Sequence, residues 1–313
     1  MAVPEKDQIA SPRHLGAGDW KTVVLRTFKT MAQPDTSLRC AGVAFFSFVS
    51  IFPAIAIVVL LVGILGDRGF LIDQIERLSD FMPEIALTVI VDQLDSLLNQ
   101  PRSGLGIGLA VSVVAALWSG SRGVDALIYA ASAAYYERPQ RNFFIAAALS
   151  FTVTIASAAF MIVALSLVAA IPIITSFSPI PGTAERLALL LRWPALMALA
   201  ILAFALLYRF TIDRRSARIR WIWPGSVLAS LLWMGVCLLF SLYVENFGEF
   251  EASFGSLAAA VVLLFWLYIS ALIFVLGAAF NAEIELQTTR DTTIGPDRPM
   301  GQRGAYVADH VVD

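Results

Sequence analysis

Six stretches of the chain, about 40–65, 104–132, 143–171, 193–210, 222–244 and 254–280, run as long apolar segments with at most an isolated pair of charges. About 20 apolar helical residues cross a hydrocarbon layer roughly 30 Å thick, and only helices or closed barrels satisfy their backbone there. The segments therefore predict an all-α, polytopic membrane helix bundle with six transmembrane helices. Composition agrees, since 58% of the 313 residues are hydrophobic and only 15% are charged, against roughly 25% charged in soluble domains. A soluble enzyme is excluded on these grounds. A net charge of -2 also lacks the clustered positive charge that a nucleic-acid partner requires.

The distribution of Lys and Arg orients the bundle. With both ends inside, the cytoplasmic side receives six basic residues before the first span, Arg138 and Arg141, five arginines from Arg209 to Arg220, three in the tail, and Arg122 near that face. The other side receives only Arg68, Arg77, Arg102, Arg186 and Arg192. Such a bias follows the positive-inside rule and predicts an inner membrane protein with cytoplasmic termini. The N-terminus shows no signal-peptide pattern.

Two further regions look helical but too polar to span. Trp20, Val23, Val24, Phe28 and Met31 share a face beside Lys21 and Lys29, the pattern of a helix lying in the headgroup layer. Residues 70–99, interrupted at Pro83, read either as an interfacial cap or as a mobile outer gate. Residues 1–18 and the Thr-, Gly-, Pro- and Asp-rich tail, 287–313, read as disordered around a membrane domain of residues 19–286.

Catalytic apparatus is missing from the spans. His14 and His310 are the only histidines and lie in the terminal segments; no nucleophile elbow or phosphate loop is present. Gly104 and Gly108 suit close helix contact, and Cys40 and Cys237 suit packing rather than a disulfide or a metal. The expectation is a protein that is no enzyme, with no cofactor and no metal, whose partners are membrane lipids and an unknown substrate; oligomeric state stays open.

Polar groups inside the spans are the candidate substrate or gating positions. Trp118, Ser119, Arg122 and Asp125 sit on the second span, with Arg122 and Asp125 three apart and able to pair; an anchoring or structural role competes with substrate contact. Ser47, Ser50 and Pro53 mark a kink in the first span, for packing or for a site. Tyr243, Asn246 and Gly255 border the last outer hairpin, where Tyr243 and Asn246 are expected to bond across the turn. Trp266, Asn281 and Glu283 follow on the sixth span. Arg209, Arg214, Arg215, Arg218 and Arg220 serve either topology or anionic-lipid contact.

Four pieces in order, AGVAFFSFVSIFP, LWSGSRGVDALIYAASAAYYERP, LYRFTIDRRSARIRWIWPGS and SLYVENFGEFEASFGSLAAAVVLLFWLYISALIFVLGAAFNAEIE, resemble the YihY/BrkB family of bacterial inner-membrane proteins, once labelled ribonuclease BN. The resemblance covers about residues 20–286. It implies six spans with cytoplasmic ends, and membrane transport or envelope-lipid handling as the expected activity. Phe254 stands before Gly255 where the family usually has Tyr, and no proline follows Tyr208-Arg209. A non-transporting structural or partner-binding scaffold in envelope maintenance is the alternative.

Overall fold

The computed structural model describes residues 11–65, 102–138, 140–177, 182–245 and 256–312. A 3-10 turn at Pro12–His14 leads into α1 (Ala17–Met31), α2 (Pro34–Leu65), α3 (Arg102–Ala134), α4 (Phe143–Phe177), α5 (Gly182–Phe210), α6 (Ile219–Glu245), α7 (Ser256–Glu285) and a short α8 (Tyr306–Asp309). Six of these, α2 to α7, are long and apolar enough to cross a membrane, so the protein is an all-α, multi-pass bundle. Among the described residues, β pairing is confined to one bridge between Ala217 and Thr293.

Contacts divide the chain into a larger unit, Met1–Phe45 with Arg122–Asp313, and a smaller one, Phe46–Ser121. In the larger unit, α6 packs between α5 and α7, while α1 lies against α7. Large side chains such as Phe144 and Leu190 stay 80% and 70% exposed, as expected where the surrounding medium is hydrocarbon rather than water.

Small residues set the spacing of α6 and α7. A Cβ on Gly277 would meet the Gly225 carbonyl oxygen and the Ala229 Cβ, both at 2.8 Å, so the backbones cross nearly in contact. Tyr208 closes the seam from α5, donating from Oη to the Phe274 carbonyl at 2.8 Å with its ring centroid 4.8 Å from that of Phe274. At Gly108 an added Cβ would lie 3.6 Å from the Leu60 side chain, so this glycine meets α2 through an ordinary van der Waals contact with a side chain rather than backbone to backbone. Among the described glycines, the tightest surroundings are those of Gly225 and Gly277, one on each side of the α6–α7 crossing.

In α1, Asp19 Oδ2 accepts the Gly16 N–H at 2.9 Å, satisfying a donor before the first turn. Its face differs from the sequence expectation. Trp20 and Val23 turn inward, Trp20 stacking on Phe280 at 5.9 Å and Val23 fully buried, whereas Val24 and Phe28 point out. The half-buried Arg26 and the buried Thr27 and Thr30 complete the inner side, Thr27 Oγ1 donating to the Val23 carbonyl of its own helix at 2.8 Å, so that its hydroxyl is buried without an orphan. The corner into α2 is tight: Thr36 Oγ1 donates to the Thr30 carbonyl at 3.0 Å, and Pro34 occupies the first helical position, where no N–H is needed.

The tail also departs from expectation, while of the N-terminal segment residues 1–10 lie outside the described residues. Pro12 and Leu15 are buried, as are Gln287, Thr288, Asp291, Thr292, Thr293, Arg303 and Val307. The segment after Glu285 is thus a folded cap. Its polar composition resembles a disordered tail, but its side chains and amides are hydrogen-bonded to one another and to the loop between α5 and α6.

Candidate functional site

The last turns of α7 carry Asn281, Glu283 and Glu285, each at most 1% exposed. Together with the loops and terminal segments packed there, they form a polar end of the larger unit.

Asn281 repairs the start of α6. Pro224 has no N–H and disturbs the second turn, and the Gly225 N–H is donated instead to Asn281 Oδ1 at 2.7 Å. Asn281 Nδ2 returns a bond to the Ile222 carbonyl at 2.9 Å. The amide is therefore used in both directions between α6 and α7, and the bonding fixes its orientation.

Glu283 is shared. Arg26 Nε donates to Oε2 at 2.6 Å, and Tyr136 Oη donates to Oε1 at 2.6 Å. Tyr136 has φ of +60°, a left-handed conformation unfavourable to a bulky residue. It ends α3 by letting the Glu137 N–H reach the Ser132 carbonyl at 2.9 Å. The same turn brings the Tyr136 ring within 5.5 Å of Tyr306. Burial, then the hydrogen bond to Glu283, raises the Tyr136 phenol above its ordinary pKa.

Glu285 is enclosed completely. Arg214 meets it with two bonds, at 2.7 and 3.0 Å, and Thr292 Oγ1 adds a third at 2.7 Å. The Arg214 guanidinium also lies 4.2 Å from the Tyr135 ring centroid, a cation–π arrangement. Burial disfavours the Arg214 charge, but facing Glu285 outweighs it and the pKa is raised. Tyr135 is itself fully buried.

The other arginines of the run divide into two groups. Arg218 pairs with Asp297 at 2.5 Å and donates Nε to the Thr293 carbonyl at 2.9 Å; Arg215 faces Asp291 at 3.9 Å. Arg215 and Arg218 are thus tied to the folded tail and Arg214 to the end of α7, so each of the three has a carboxylate partner within the protein. Charge counting finds such residues but not their partners. Arg209, whose guanidinium lies 5.5 Å from the Phe210 ring, and the exposed Arg220 form no ion pair with a carboxylate among the described residues.

The tail is pinned by backbone as well. Arg215 N donates to the Gly304 carbonyl, and Arg218 N to the Thr292 carbonyl, both at 2.9 Å. Arg303 reaches the carbonyls of Arg298, Ala308 and Thr289 at 3.0, 2.6 and 2.7 Å. Gly295 takes a φ of +95° directly against the Arg215 guanidinium, a place for a residue without a side chain.

Asp291 is the charged centre of this cap. Burial pushes its carboxyl up, but bonds from Thr293 Oγ1, Thr293 N and Arg298 N at 2.7, 2.9 and 2.9 Å, together with the Arg303 charge, bring it below the ordinary value. A lowered pKa contributes stability above the unfolded value, near ~3.9, and loses it as pH falls through the folded value. Limited proteolysis should therefore release the tail only below about pH 4, while Asp291→Asn should be cleaved faster at neutral pH. Equal cleavage of both proteins at neutral pH would refute this.

A second polar group lies within the spans. Arg122 NH1 is 3.6 Å from Asp125 Oδ2, with the side chains 44% and 38% exposed, and Ser150 Oγ donates to Asp125 Oδ1. Arg122 precedes the end of α3 by three turns or more, about 18 Å at ~1.5 Å per residue. Charges at this depth are costly unless paired or wetted, and the pairing foreseen from their spacing is present. Asp125 further joins α3 to α4, a link not evident in the sequence.

The remaining positions are more ordinary. Ser119 Oγ donates to the Ala115 carbonyl at 2.7 Å and Trp118 is exposed. Ser50 Oγ donates to the Ser47 carbonyl at 2.7 Å, and α2 continues unbroken through Pro53. Trp266 packs against Trp233 and Phe240, at 6.4 and 6.1 Å, and Trp233 Nε1 donates to Ser270 Oγ at 3.2 Å. Tyr243 is exposed at the far end of α6. Asn246 and Gly255, like residues 70–99, lie outside the described residues. Sequence reading missed Arg26, Tyr136 and Glu285; the visible signal was two carboxylates directly following the sixth apolar stretch, which, once buried, demand compensating donors.

A protein of Bacillus subtilis named as ribonuclease-like, YfkH, is 29% identical over 248 residues, covering 78% of this chain and 88% of that protein. UPF0761 membrane proteins of Idiomarina loihiensis and Alteromonas mediterranea are 32% and 35% identical over 93 and 85 residues, covering 30% and 27% of this chain and 32% and 29% of theirs. These two matches span about a third of the relatives' length. No solved structure matches significantly. The family model described as virulence factor BrkB matches residues 27–301, and this span includes Arg122 and Asp125, the carboxylates Glu283 and Glu285, and all six candidate spans. The chain belongs to the virulence factor BrkB family.

Proposed function

We propose that the protein is a bacterial inner-membrane transporter or lipid-translocating protein, with both termini cytoplasmic and with no catalytic activity of its own. The observation that carries this reading is the half-exposed Arg122–Asp125 pair with Ser150 at membrane depth. A charge pair serving only to join helices would gain from complete enclosure. Partial exposure leaves the guanidinium able to meet the anionic group of an amphiphile, and a crevice of about 430 Å³ lined by Trp193, Pro194, Met197, Met234 and Leu238 offers wholly apolar surface elsewhere between α5 and α6. Orientation rests on the positive-inside bias. The ribonuclease-like name belongs to the Bacillus relative, and the spans here hold no histidine to act as a base.

Purified protein in liposomes, assayed for movement of labelled anionic and zwitterionic lipids and for proton or sodium flux, tests the proposal. The wild type should transport one of these above empty liposomes. Arg122→Ala should lose about tenfold or more, the scale of a hydrogen bond to a charged group, ~1.5–3 kcal/mol. In folded yield, Arg122→Ala with Asp125→Ala should fare better than either single change, because no charge is stranded. Absence of all transport by folded wild-type protein would sink the reading.

The second reading, a structural or partner-binding scaffold, is favoured by the polar end, where Asn281, Glu283 and Glu285 are fully buried and bonded within the protein. It predicts folded wild-type protein with no flux and an unchanged cellular phenotype for Arg122→Ala.

A further inference from the structure

The two sides of α1 have opposite chemistry. Its inner side is committed to the protein: Val23 is buried, Trp20 stacks on Phe280, and Arg26 reaches Glu283. On the outer side Val24, Leu25 and Phe28 are 41%, 58% and 63% exposed, and Lys21 and Lys29 are exposed with them. At about 100° per residue, these five residues occupy one contiguous arc. The only acidic residue of α1, Asp19, is engaged with the Gly16 N–H, so the arc is purely cationic and apolar.

The position of the helix fixes what this arc meets. Its inner contacts fall on Phe280 and Glu283, in the last two turns of α7. A helix of 30 residues is about 45 Å long, longer than the ~30 Å hydrocarbon core, so its final turns lie at headgroup level. Hence α1 lies at that level too. We infer that the outer face of α1 binds an anionic bilayer surface, with Val24, Leu25 and Phe28 at the acyl boundary and Lys21 and Lys29 on lipid phosphates. The lysine stems cover apolar surface while their ammonium groups extend to the phosphates. The inference stands independently of transport.

The test uses the full chain in nanodiscs of phosphatidylcholine alone or mixed with phosphatidylglycerol. A nitroxide is placed at Leu25→Cys in a Cys237→Ser background; Cys40 is buried and stays. Collisions with oxygen and with a water-soluble nickel chelate report depth. With phosphatidylglycerol the label should be oxygen-accessible and nickel-shielded. Lys21→Glu with Lys29→Glu should shift the bound-to-free ratio by about 30-fold or more, on the basis of ~1 kcal/mol per basic residue. Size-exclusion elution of these exposed-site variants verifies folding. Nickel access that is high and equal in both lipids overturns the inference by placing the face in water. Shielding from both reagents overturns it in favour of a protein partner or second copy, and lipid burial indifferent to phosphatidylglycerol and to the lysines overturns the anionic preference.

Discussion

Glu285→Ala should cost about 3–5 kcal/mol of stability, the penalty of stranding one member of a buried ion pair. Arg214 and Glu285 expose only 2% and 0% of their side chains, and without the carboxylate the Arg214 guanidinium keeps the Tyr135 ring but loses its paired charge. Thr292 Oγ1 loses its acceptor at the same time. Joint replacement, Arg214→Met with Glu285→Leu, should recover much of the loss, since a matched apolar pair strands no charge. Thermal unfolding in detergent, followed by the fraction remaining monodisperse, reads both. A cost below about 1 kcal/mol for the single change, the range of exposed pairs, would mean that the pair is solvated.

Gly277→Val should be nearly as damaging for a steric reason. Its Cβ would lie 2.8 Å from both the Gly225 oxygen and the Ala229 Cβ. A backbone oxygen cannot rotate away, so α6 and α7 must separate, breaking the Asn281 bridge as they do. Overpacking of this kind costs about 1–3 kcal/mol or more. Gly235 has open space where its Cβ would be, and Gly235→Ala should be neutral or better in the same assay. Equal behaviour of the two variants would show that the crossing tolerates separation.

The spans were legible because a long apolar run has few alternatives to crossing a bilayer; the resemblance to the family carried the same architecture. Less legible was anything depending on a distant partner. Glu283 stood out as a charge on an apolar helix, but Arg26 lies 257 positions away and looked like one of several basic residues on a surface helix. Trp20 and Phe28 share a periodic pattern, and only the contact with Phe280 decides which one turns inward. The tail misled for a related reason. Asp291, Thr292 and Thr293 are turn-prone and polar in isolation, and become structural once backbone and arginine donors surround them. Arg122 with Asp125 was the easier case, because three residues along a helix is a local relation.

The joining of Arg26 to Glu283 carries a consequence for biosynthesis. One partner is near the beginning of the chain and the other near its end, separated by 257 positions. At about 5–20 residues per second, the acidic partner emerges tens of seconds after the arginine. During that interval α1 must wait without its internal counterion; Tyr136 and Arg214 wait too, over the shorter separations of 147 and 71 positions. The polar end can therefore first close only once Glu283 and Glu285 have emerged, and ribosomes stalled before residue 283 should display α1 in an undocked form.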